Sequence, residues 1–372
     1  MTVRTLTDRD LNRALLDRQL LLQRSPMDAA EAVEHLVGLQ TQIPPNHYVA
    51  LWSRLEAFDA QRFSQRFEDR EFVRISLQRS TIHTVTARDC RPLRQVLQPV
   101  QDRNLKGAFG KRLQGIDLKE LAERARVLAE EEPRTFNELG VLLAESYPGR
   151  DVQALGIAAR NNLALVQVTP RGLWLQGGLP KHTTAELWLG NAKAVPAMEA
   201  EELVLRYLKA FGPASVMDAQ NWSGLTRLRE VFEKLRPNLV LFQSESGTEL
   251  FDLPDAPRPG EDMPVPARFL PDYDNVFIGH KDRARINDAR IPREKIFAGN
   301  TPISPFTVDG FIRGSWKVET DKKRTAATLN LTPMVPTTKA QRADLAAEGA
   351  RLLEFLAPGA DHDLRWLEDT NG

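Results

Sequence analysis

Phe72-Val73-Arg74-Ile75-Ser76-Leu77 and Thr81-Ile82-His83-Thr84-Val85-Thr86 alternate along the chain with a period of two, and a short polar turn separates them. This period is typical of β-strands, and two such runs around a turn predict a hairpin. Three stretches with the helical spacing of apolar residues precede the hairpin and begin near Thr7, Ser25 and His47. Thr7 is the predicted N-cap of the first helix. The N-terminal region is therefore expected to fold as helices followed by a two-stranded wing.

The same order of helices and a hairpin occurs twice more, and this repetition predicts three winged-helix units in tandem. Thr135-Phe136-Asn137-Glu138 has the form of a capping box and predicts the start of a helix. Further predicted helices cover residues 118–131, 151–162, 201–211, 216–222 and 226–235. The predicted hairpins pair residues 163–168 with 172–175 and residues 239–242 with 249–253. The three units are expected to occupy residues 1–112, 113–195 and 196–256.

The composition changes after the third unit. Residues 254–266 hold five prolines and predict a linker that crosses the surface. Beyond the linker, short apolar runs and the turn signal Asp309-Gly310 predict a mainly antiparallel sheet or a small barrel, with one helix at 339–356 and a last strand near 364–367. The fold class expected from the sequence is α+β, with three winged-helix units followed by a β-rich, barrel-like domain over residues 257–372.

The overall composition bounds the classes of function. The chain has 372 residues, of which 42% are hydrophobic and 27% are charged, as in a globular protein that folds in water. No apolar run approaches the roughly 20 residues of a membrane span, so no membrane partner is expected and the protein is predicted to be cytoplasmic. Cys90 is the only cysteine and the six histidines lack the spacing of metal ligands, so neither a metal nor another cofactor is expected.

Charge is balanced over the whole chain, with 50 Lys and Arg residues against 50 Asp and Glu residues, but it is not evenly distributed. Residues 88–112 contain seven basic and two acidic residues, and residues 280–295 contain six basic and three acidic residues. Arg227 and Arg229 lie in the predicted recognition helix of the third unit. Each cluster taken alone is consistent with a solvated face, whereas together they favour one basic surface for nucleic acid on a neutral molecule.

A polar interruption, Gly38-Leu39-Gln40-Thr41-Gln42-Ile43-Pro44-Pro45, follows the apolar pattern of the second helix. Two glutamines one residue apart, between a helix and a Pro-Pro stop, do not suit a hydrophobic core. The interpretation without function is a polar helix end before Pro44. The interpretation with function is a candidate active site in which Gln40 and Gln42 do the chemistry.

Four motifs, taken in chain order, resemble the successive signatures of one family. They are Leu39-Gln40-Thr41-Gln42, Gln78-Arg79-Ser80-Thr81-Ile82-His83, Arg206-Tyr207-Leu208 with Phe211-Gly212-Pro213-Ala214, and Leu270-Pro271-Asp272-Tyr273-Asp274-Asn275 with Gly279-His280-Lys281-Asp282-Arg283. The family is that of the bacterial winged-helix DNA glycosylases of AlkZ and YcaQ type. The resemblance implies three winged-helix units and a β-rich C-terminal domain in a C-shaped molecule. It also implies removal of alkylated purines, including bulky adducts and azinomycin-type interstrand crosslinks, in DNA repair or antibiotic self-resistance.

The resemblance also implies roles for residues of this chain. Gln40 and Gln42 match the catalytic Gln-x-Gln motif of the AlkZ-like branch, although Thr41 stands where the family often has an aliphatic residue. The family places a β-hairpin against damaged DNA, and residues 280–285 are its expected counterpart here. The residues expected to contact double-stranded DNA are His280, Lys281, Arg283, Arg285, Arg79, His83, Arg227 and Arg229. The protein is expected to act as a monomer.

The chemistry can be argued from the glutamines themselves. An amide is neutral, so it cannot abstract a proton as a carboxylate does, but its oxygen can hold a water molecule. An N7-alkylated guanine is cationic and leaves as a neutral base, which supplies the activation that an amide lacks. The hypothesis is therefore a monofunctional DNA glycosylase, since no lysine lies near the motif to act as a lyase. Two alternatives stay open: a DNA-binding or regulatory winged-helix protein without catalysis, and a damage sensor that recruits a nuclease.

Overall fold

The computed structural model describes residues 4–190, 196–298 and 301–368, and residue ranges below refer to this part of the chain. Its helices are α1 Asp8–Arg18, α2 Ala29–His35, α3 Asn46–Trp52, α4 Ala60–Glu68, α5 Ala87–Val96, α6 Gln98–Phe109, α7 Leu118–Glu131, α8 Phe136–Ser146, α9 Val152–Asn162, α10 Ala185–Leu189, α11 Ala200–Phe211, α12 Val216–Ser223, α13 Leu228–Leu235, α14 Asn275–Ile278, α15 Arg293–Ile296 and α16 Lys339–Leu356. Its strands are β1 Arg4–Leu6, β2 Leu39–Gln40, β3 Phe72–Ser76, β4 Ile82–Thr86, β5 Leu165–Gln167, β6 His182–Thr184, β7 Val240–Ser244, β8 Glu249–Asp252, β9 Arg268–Phe269, β10 Phe297–Ala298, β11 Thr301–Pro302, β12 Pro305–Val308, β13 Phe311–Thr320, β14 Ala326–Pro333 and β15 Asp361–Trp366. The predicted α+β class is confirmed.

The first predicted hairpin is confirmed as β3 and β4, which pair antiparallel from Phe72 opposite Thr86 to Ser76 opposite Ile82. It belongs to a five-stranded sheet with the order β2-β4-β3-β5-β6. Strand β5 comes from the second predicted unit and pairs with β3 of the first. The first two units therefore share one sheet.

The second predicted hairpin is only half correct. Strand β5 lies within the expected 163–168 segment, but its partner is β6 and the predicted strand 172–175 lies in turns. Gly172 has a φ of 101° and Leu175 a φ of 57°, which are turn conformations that interrupt a strand. The sequence pattern was apolar enough for a strand, but the glycines around it dictate turns.

The third predicted hairpin is confirmed as β7 and β8, and β1 extends it on one side as a parallel neighbour of β7. Strand β1 was not predicted, because its three residues lie before the first helix cap and carry no alternating pattern. The expected unit boundary at 195 adjoins residues 191–195, which lie outside the described residues.

The C-terminal region is a five-stranded sheet with the order β15-β14-β13-β12-β9. All neighbours are antiparallel except β14 and β15, and helix α16 packs its Leu345 and Leu352 on the sheet residues Leu329 and Leu331. Asp309-Gly310 forms the predicted hairpin turn, with φ angles of 52° and 82°. The antiparallel sheet with one long helix is confirmed, but the barrel is wrong because β9 and β15 remain separate edges.

One hydrophobic core crosses the predicted unit boundaries. It contains Leu15, Val37 and Val85 from the first unit, Phe211 from the third and Phe277 from the C-terminal region. Residues 254–266 hold no helix or strand and serve as the predicted linker. No helix in the described ranges is long and apolar enough to cross a membrane.

Candidate active site

The chain enters the candidate site through a sharp turn after α2. Val37 and Gly38 both have positive φ angles, 56° and 86°. A Cβ at position 38 would lie 2.8 Å from Cγ1 of Val85, so only glycine fits this turn without strain. The Gln78 side-chain amide donates to the Val37 carbonyl at 3.1 Å, and the Asn275 amide donates to the Gly38 carbonyl at 3.0 Å. Two distant segments thus fix the position from which the Gln-x-Gln stretch starts.

Gln40 and Gln42 lie on and just after an edge strand, not at a helix end. Helix α2 stops at His35, and Gln40 belongs to β2, where it pairs with His83 of β4. Gln40 is only 6% exposed, whereas Gln42 is exposed. Oε1 of Gln42 accepts a long 3.4 Å hydrogen bond from the Ile82 amide. The interpretation of this stretch as a capped helix end is wrong, because α2 ends at His35, Gln40 lies in a strand and Gln42 follows just beyond it.

The middle residue of the motif points to the opposite side of the strand. Thr41 is fully buried, and its hydroxyl lies 2.9 Å from that of Thr84. Its carbonyl accepts a hydrogen bond of 2.5 Å from Nη2 of the buried Arg74. Thr41 therefore anchors this segment to the interior and leaves Gln40 on the other face.

Arg79 connects the site to the third unit. Its φ is 52°, and its guanidinium donates to Oε1 of Gln40 and to the backbone carbonyl of Trp222. Burial, followed by the charge of Arg283, lowers the pKa of Arg79 to about 10. Arg79 remains cationic at neutral pH, and both of its described acceptors are neutral. A half-buried cation beside Gln40 gives this end of the site a positive potential.

His83 lies directly opposite Gln40 and is 3% exposed. Its Nδ1 lies 3.0 Å from the Thr81 carbonyl. Burial, with the neighbouring charge of Arg79 as the next cause, lowers the pKa of His83 to about 3. The imidazole is therefore neutral at neutral pH.

The segment 280–285 was expected to be a basic hairpin, and that expectation is wrong. The structure has turns here and no strand, because the segment is bound to the start of α12: Asp218 accepts a 2.9 Å hydrogen bond from the Lys281 amide. Lys281 is exposed and Arg283 half-buried, so their charges face solvent at least in part.

His280 and Arg285 are buried and hold this segment in place instead of reaching outward. His280 is 1% exposed and its Nε2 lies 2.9 Å from the Phe211 carbonyl. Burial and the charge of Arg285 lower the pKa of His280 to about 3. Arg285 is 4% exposed and donates to the Pro213 carbonyl at 2.8 Å. In this structure neither side chain is available to DNA, contrary to what the resemblance implied.

Arg227 and Arg229 lie at the start of α13. Arg227 is the N-cap residue, is exposed and has a φ of 63°. The Arg229 side chain is 65% exposed and lies 3.4 Å from Glu233 and 3.9 Å from Glu249. Both arginines are accessible to solvent, although Arg229 forms ion pairs with two carboxylates.

Sequence reasoning missed the residues that support the site. The alternating pattern indicates only a strand for Arg74, and the motifs that contain Gln78 and Asn275 indicate no separate role for these two amides. The signal was present, since a charged residue at an inward position of a strand and amides inside otherwise apolar motifs require buried partners. Only the fold shows that these partners are the carbonyls of Thr41, Val37 and Gly38.

Comparison with known proteins agrees with this fold. The family model described as AlkZ-like DNA glycosylase matches residues 33–355. The solved structure of the DNA glycosylase AlkZ from Streptomyces sahachiroi is similar, with a TM-score of 0.76 and 18% sequence identity over 98% of this chain and 100% of that chain. No curated protein sequence matches. The family expected from the four motifs is confirmed, and the chain belongs to the AlkZ-like DNA glycosylases.

Proposed function

We propose that this DNA glycosylase hydrolyses the N-glycosidic bond of cationic N7-alkylated purines, including bulky adducts and azinomycin-type interstrand crosslinks. One observation carries the proposal. The groups that meet at the edge of β2 are the amides of Gln40 and Gln42 with the Arg79 cation, and no carboxylate contacts them among the described residues. Such a site has no strong base and no acid to protonate a leaving group, so it suits a base that is already charged.

The two amides are suited to different tasks. An arginine can only donate, so the bond from Arg79 assigns the Gln40 oxygen and directs the Gln40 amide nitrogen elsewhere as a donor. Gln42 is exposed, and among the described residues its oxygen is held only by the 3.4 Å hydrogen bond from the Ile82 amide. Gln42 is therefore the residue to hold the attacking water through its carbonyl oxygen. Gln40 is the residue to orient the water or the sugar by donation.

The reaction follows from the charge of the substrate. The bond between C1′ and N9 breaks, and its electron pair neutralises the cationic purine. The water oxygen bonds to C1′ of the resulting oxocarbenium-like sugar, and the water proton passes to solvent. No proton has to be delivered to the base, which accounts for a site built from neutral amides.

The position of Gln42 at the protein surface is consistent with a site that accepts bulky lesions. Gln42 is exposed and its neighbour Ile43 is 43% exposed, so the end of the motif that carries Gln42 lies at the surface. Complete flipping of a crosslinked base is geometrically hard, since the base stays tethered to the other strand. A surface site avoids this requirement. The exposed Lys281, Arg227 and Arg229, with the partly exposed Arg79 and Arg283, are the cations that we assign to the DNA backbone.

The proposal is tested by incubating the protein with duplexes that carry 7-methylguanine or an azinomycin-type crosslink and measuring the free modified base by mass spectrometry. The expected result is release of intact modified base and an abasic site without strand cleavage. The matched control is the Gln40→Ala/Gln42→Ala double variant, which should bind the duplex and release little base. No release at high enzyme concentration on several N7 lesions would refute the proposed substrate class.

A further inference from the structure

His83 shares one face of the sheet with Gln40, and Gln42, just beyond the end of β2, binds the backbone amide of Ile82 next to His83. Side chains alternate along a strand, and residues directly opposite in an antiparallel pair project to the same face with Cβ atoms about 4.5–5.5 Å apart. Gln40 is opposite His83, and Gln42 follows two positions later. The opposite face is defined independently by Thr41 and Thr84, whose hydroxyls lie 2.9 Å apart.

The tautomer of His83 follows from its single described hydrogen bond. The partner of Nδ1 is the Thr81 carbonyl, 3.0 Å away, and a carbonyl can only accept. Nδ1 therefore carries the hydrogen, and Nε2 of the neutral ring has a free lone pair. None of the residues that the structure describes donates a hydrogen bond to Nε2. This nitrogen is not fully enclosed by the described protein atoms.

Charge around the ring keeps it in this form. Arg79, which donates to Gln40, is the charged group that acts on His83, and the described residues bring no carboxylate to counter it. A second cation on the ring would lie beside the guanidinium in a buried environment, which is unfavourable. His83 is therefore a hydrogen-bond acceptor that does not become a donor at working pH.

We propose that His83 is a third catalytic residue, whose Nε2 accepts a hydrogen bond from the water that Gln42 holds. This inference rests on the proposed function. Two acceptors, Gln42 Oε1 and His83 Nε2, take up both hydrogens of the water and leave an oxygen lone pair directed at C1′. The oxygen bonds to C1′ as the C1′–N9 pair leaves with the base, and the water proton is released to solvent. His83 orients the water and does not take its proton, because Arg79 opposes an imidazolium.

Two substitutions separate this role from a structural one. His83→Asn keeps a donor at the position of Nδ1 for the Thr81 carbonyl and removes the acceptor at the position of Nε2. His83→Gln places an amide near the position of Nε2 and gives up the Nδ1 donor. In single-turnover release of 7-methylguanine from a duplex, H83N should be slower by about 100-fold, within the range of losing one positioned polar group in an active site. H83Q should retain more of the rate than H83N.

A double variant of His83 and Gln42 tests whether the two residues act together, because a purely structural role of His83 would not make its effect on the rate depend on Gln42. If both residues hold one water, H83N should add little to the loss already caused by Gln42→Ala, whereas independent effects would multiply. Binding of undamaged duplex should stay at the wild-type level in all variants. The wild-type rate per folded molecule should also be flat between pH 5 and pH 8, because the acceptor stays unprotonated. If H83N melts below the assay temperature, H83Q takes its place, with a smaller loss that is equally non-additive with Gln42→Ala.

The outcomes are distinguishable. Base release by H83N at the wild-type rate, or losses for H83N and Q42A that multiply, would overturn the role of His83 and leave the proposed function standing. No base release by the wild type on any N7 lesion would overturn the proposed function and this inference together.

Discussion

At the scale of single residues, two chemically identical side chains have acquired different environments. Gln40 is almost fully buried and accepts from Arg79, whereas Gln42 is exposed and only weakly held. The spacing of the motif in the sequence gives no hint of this difference. It arises because β2 ends at Gln40, so one glutamine lies within the paired strand and the other just beyond it.

The two alanine variants should therefore differ in kind. Gln42→Ala is expected to reduce single-turnover base release by about 100-fold with no change in melting temperature, since it removes an exposed group that positions water. Gln40→Ala is expected to reduce both the rate and the melting temperature, because Gln40 is buried and the half-buried Arg79 loses its side-chain acceptor. Gln65→Ala, a change at an exposed glutamine of α4, is the matched control. Equal stability of the two variants would contradict the assignment.

Gly38 allows a second test at this scale. Gly38→Ala places a methyl group 2.8 Å from Val85 at a φ of 86°, and both effects are unfavourable. We expect a loss of about 1–3 kcal/mol in the free energy of unfolding and a lower rate of base release, because the turn carries Gln40. Gly107→Ala in α6 is the control, since nothing lies within 4 Å of its new Cβ. Urea denaturation should show the control to be as stable as the wild type or slightly more stable.

At the scale of elements, the segment 280–285 combines two kinds of basic residue that the sequence cannot separate. Lys281 and Arg283 face solvent at least in part, while Arg285 is buried against the Pro213 carbonyl. The reason is non-local, because Asp218 of α12 binds the backbone of this segment. A run of basic residues predicts a basic surface, but it does not predict which of these residues are buried in contacts within the protein.

Substitutions of the solvent-facing and of the buried basic residues in this segment should therefore have different effects. Lys281→Ala combined with Arg283→Ala is expected to weaken binding to undamaged duplex and to reduce the salt dependence of the affinity by about one unit of slope for each phosphate that the protein no longer neutralises. Arg285→Ala is expected to lower the melting temperature because it leaves the Pro213 carbonyl unpaired. Affinities measured at several salt concentrations decide the matter. A wild-type slope in the double variant would exclude this segment from the DNA-binding surface.

Much of the element order was predictable because its signals are local. The capping boxes at Thr7 and Thr135, the alternation in β3 and β4 and the Asp309-Gly310 turn all act within a few residues. The pairing of β5 with β3 and the addition of β1 to β7 were not predictable, because nothing within those short strands specifies a distant partner. The same limit applies to the site. The local polar interruption and the resemblance indicate Gln40 and Gln42, whereas Arg74 and Asn275 contribute through hydrogen bonds to residues far away in sequence.

At the scale of the whole molecule, buried ion pairs join segments that are far apart in sequence. Arg54 donates from Nη1 and Nη2 to the two carboxylate oxygens of Asp274, each at 2.8 Å, and neither side chain is exposed. Arg18 and Asp252 form a second buried pair at 2.6 Å. Loss of either partner of the Arg54–Asp274 pair leaves an uncompensated buried charge, whereas Asp252 also pairs with Arg258 at 2.5 Å. Asp274 directly precedes the helix that supplies Asn275 to the Gly38 turn, which couples this pair to the active site.

Buried histidines give the whole molecule a dependence on pH. Burial is the largest cause that lowers the pKa of His35, His47, His83, His182 and His280 below the ordinary value of 6.5, and for the last three the pKa falls to about 3. In the unfolded chain these groups take up protons as the pH falls through 6.5, whereas in the folded protein they do so at lower pH, near pH 3 for His83, His182 and His280. Between about pH 3 and pH 6.5 the unfolded state therefore binds more protons, and the free energy of unfolding must decrease as the pH falls.

The expected result is a steep loss of stability on acidification. Each fully shifted histidine contributes up to about 1.4 kcal/mol per pH unit below pH 6.5, so several acting together should destabilise the protein well before the carboxylates titrate. Urea denaturation at pH 7.5, 6.5 and 5.5 measures this, and His182→Gln should make the dependence shallower by about one proton, with His362→Gln at an exposed position as the control. A free energy of unfolding that stayed constant from pH 7.5 to pH 5.5 would contradict the burial of these rings. Loss of base release between pH 6.5 and pH 5.5 should accordingly follow unfolding and not a change in the catalytic step, a distinction that a rate measured per folded molecule makes directly.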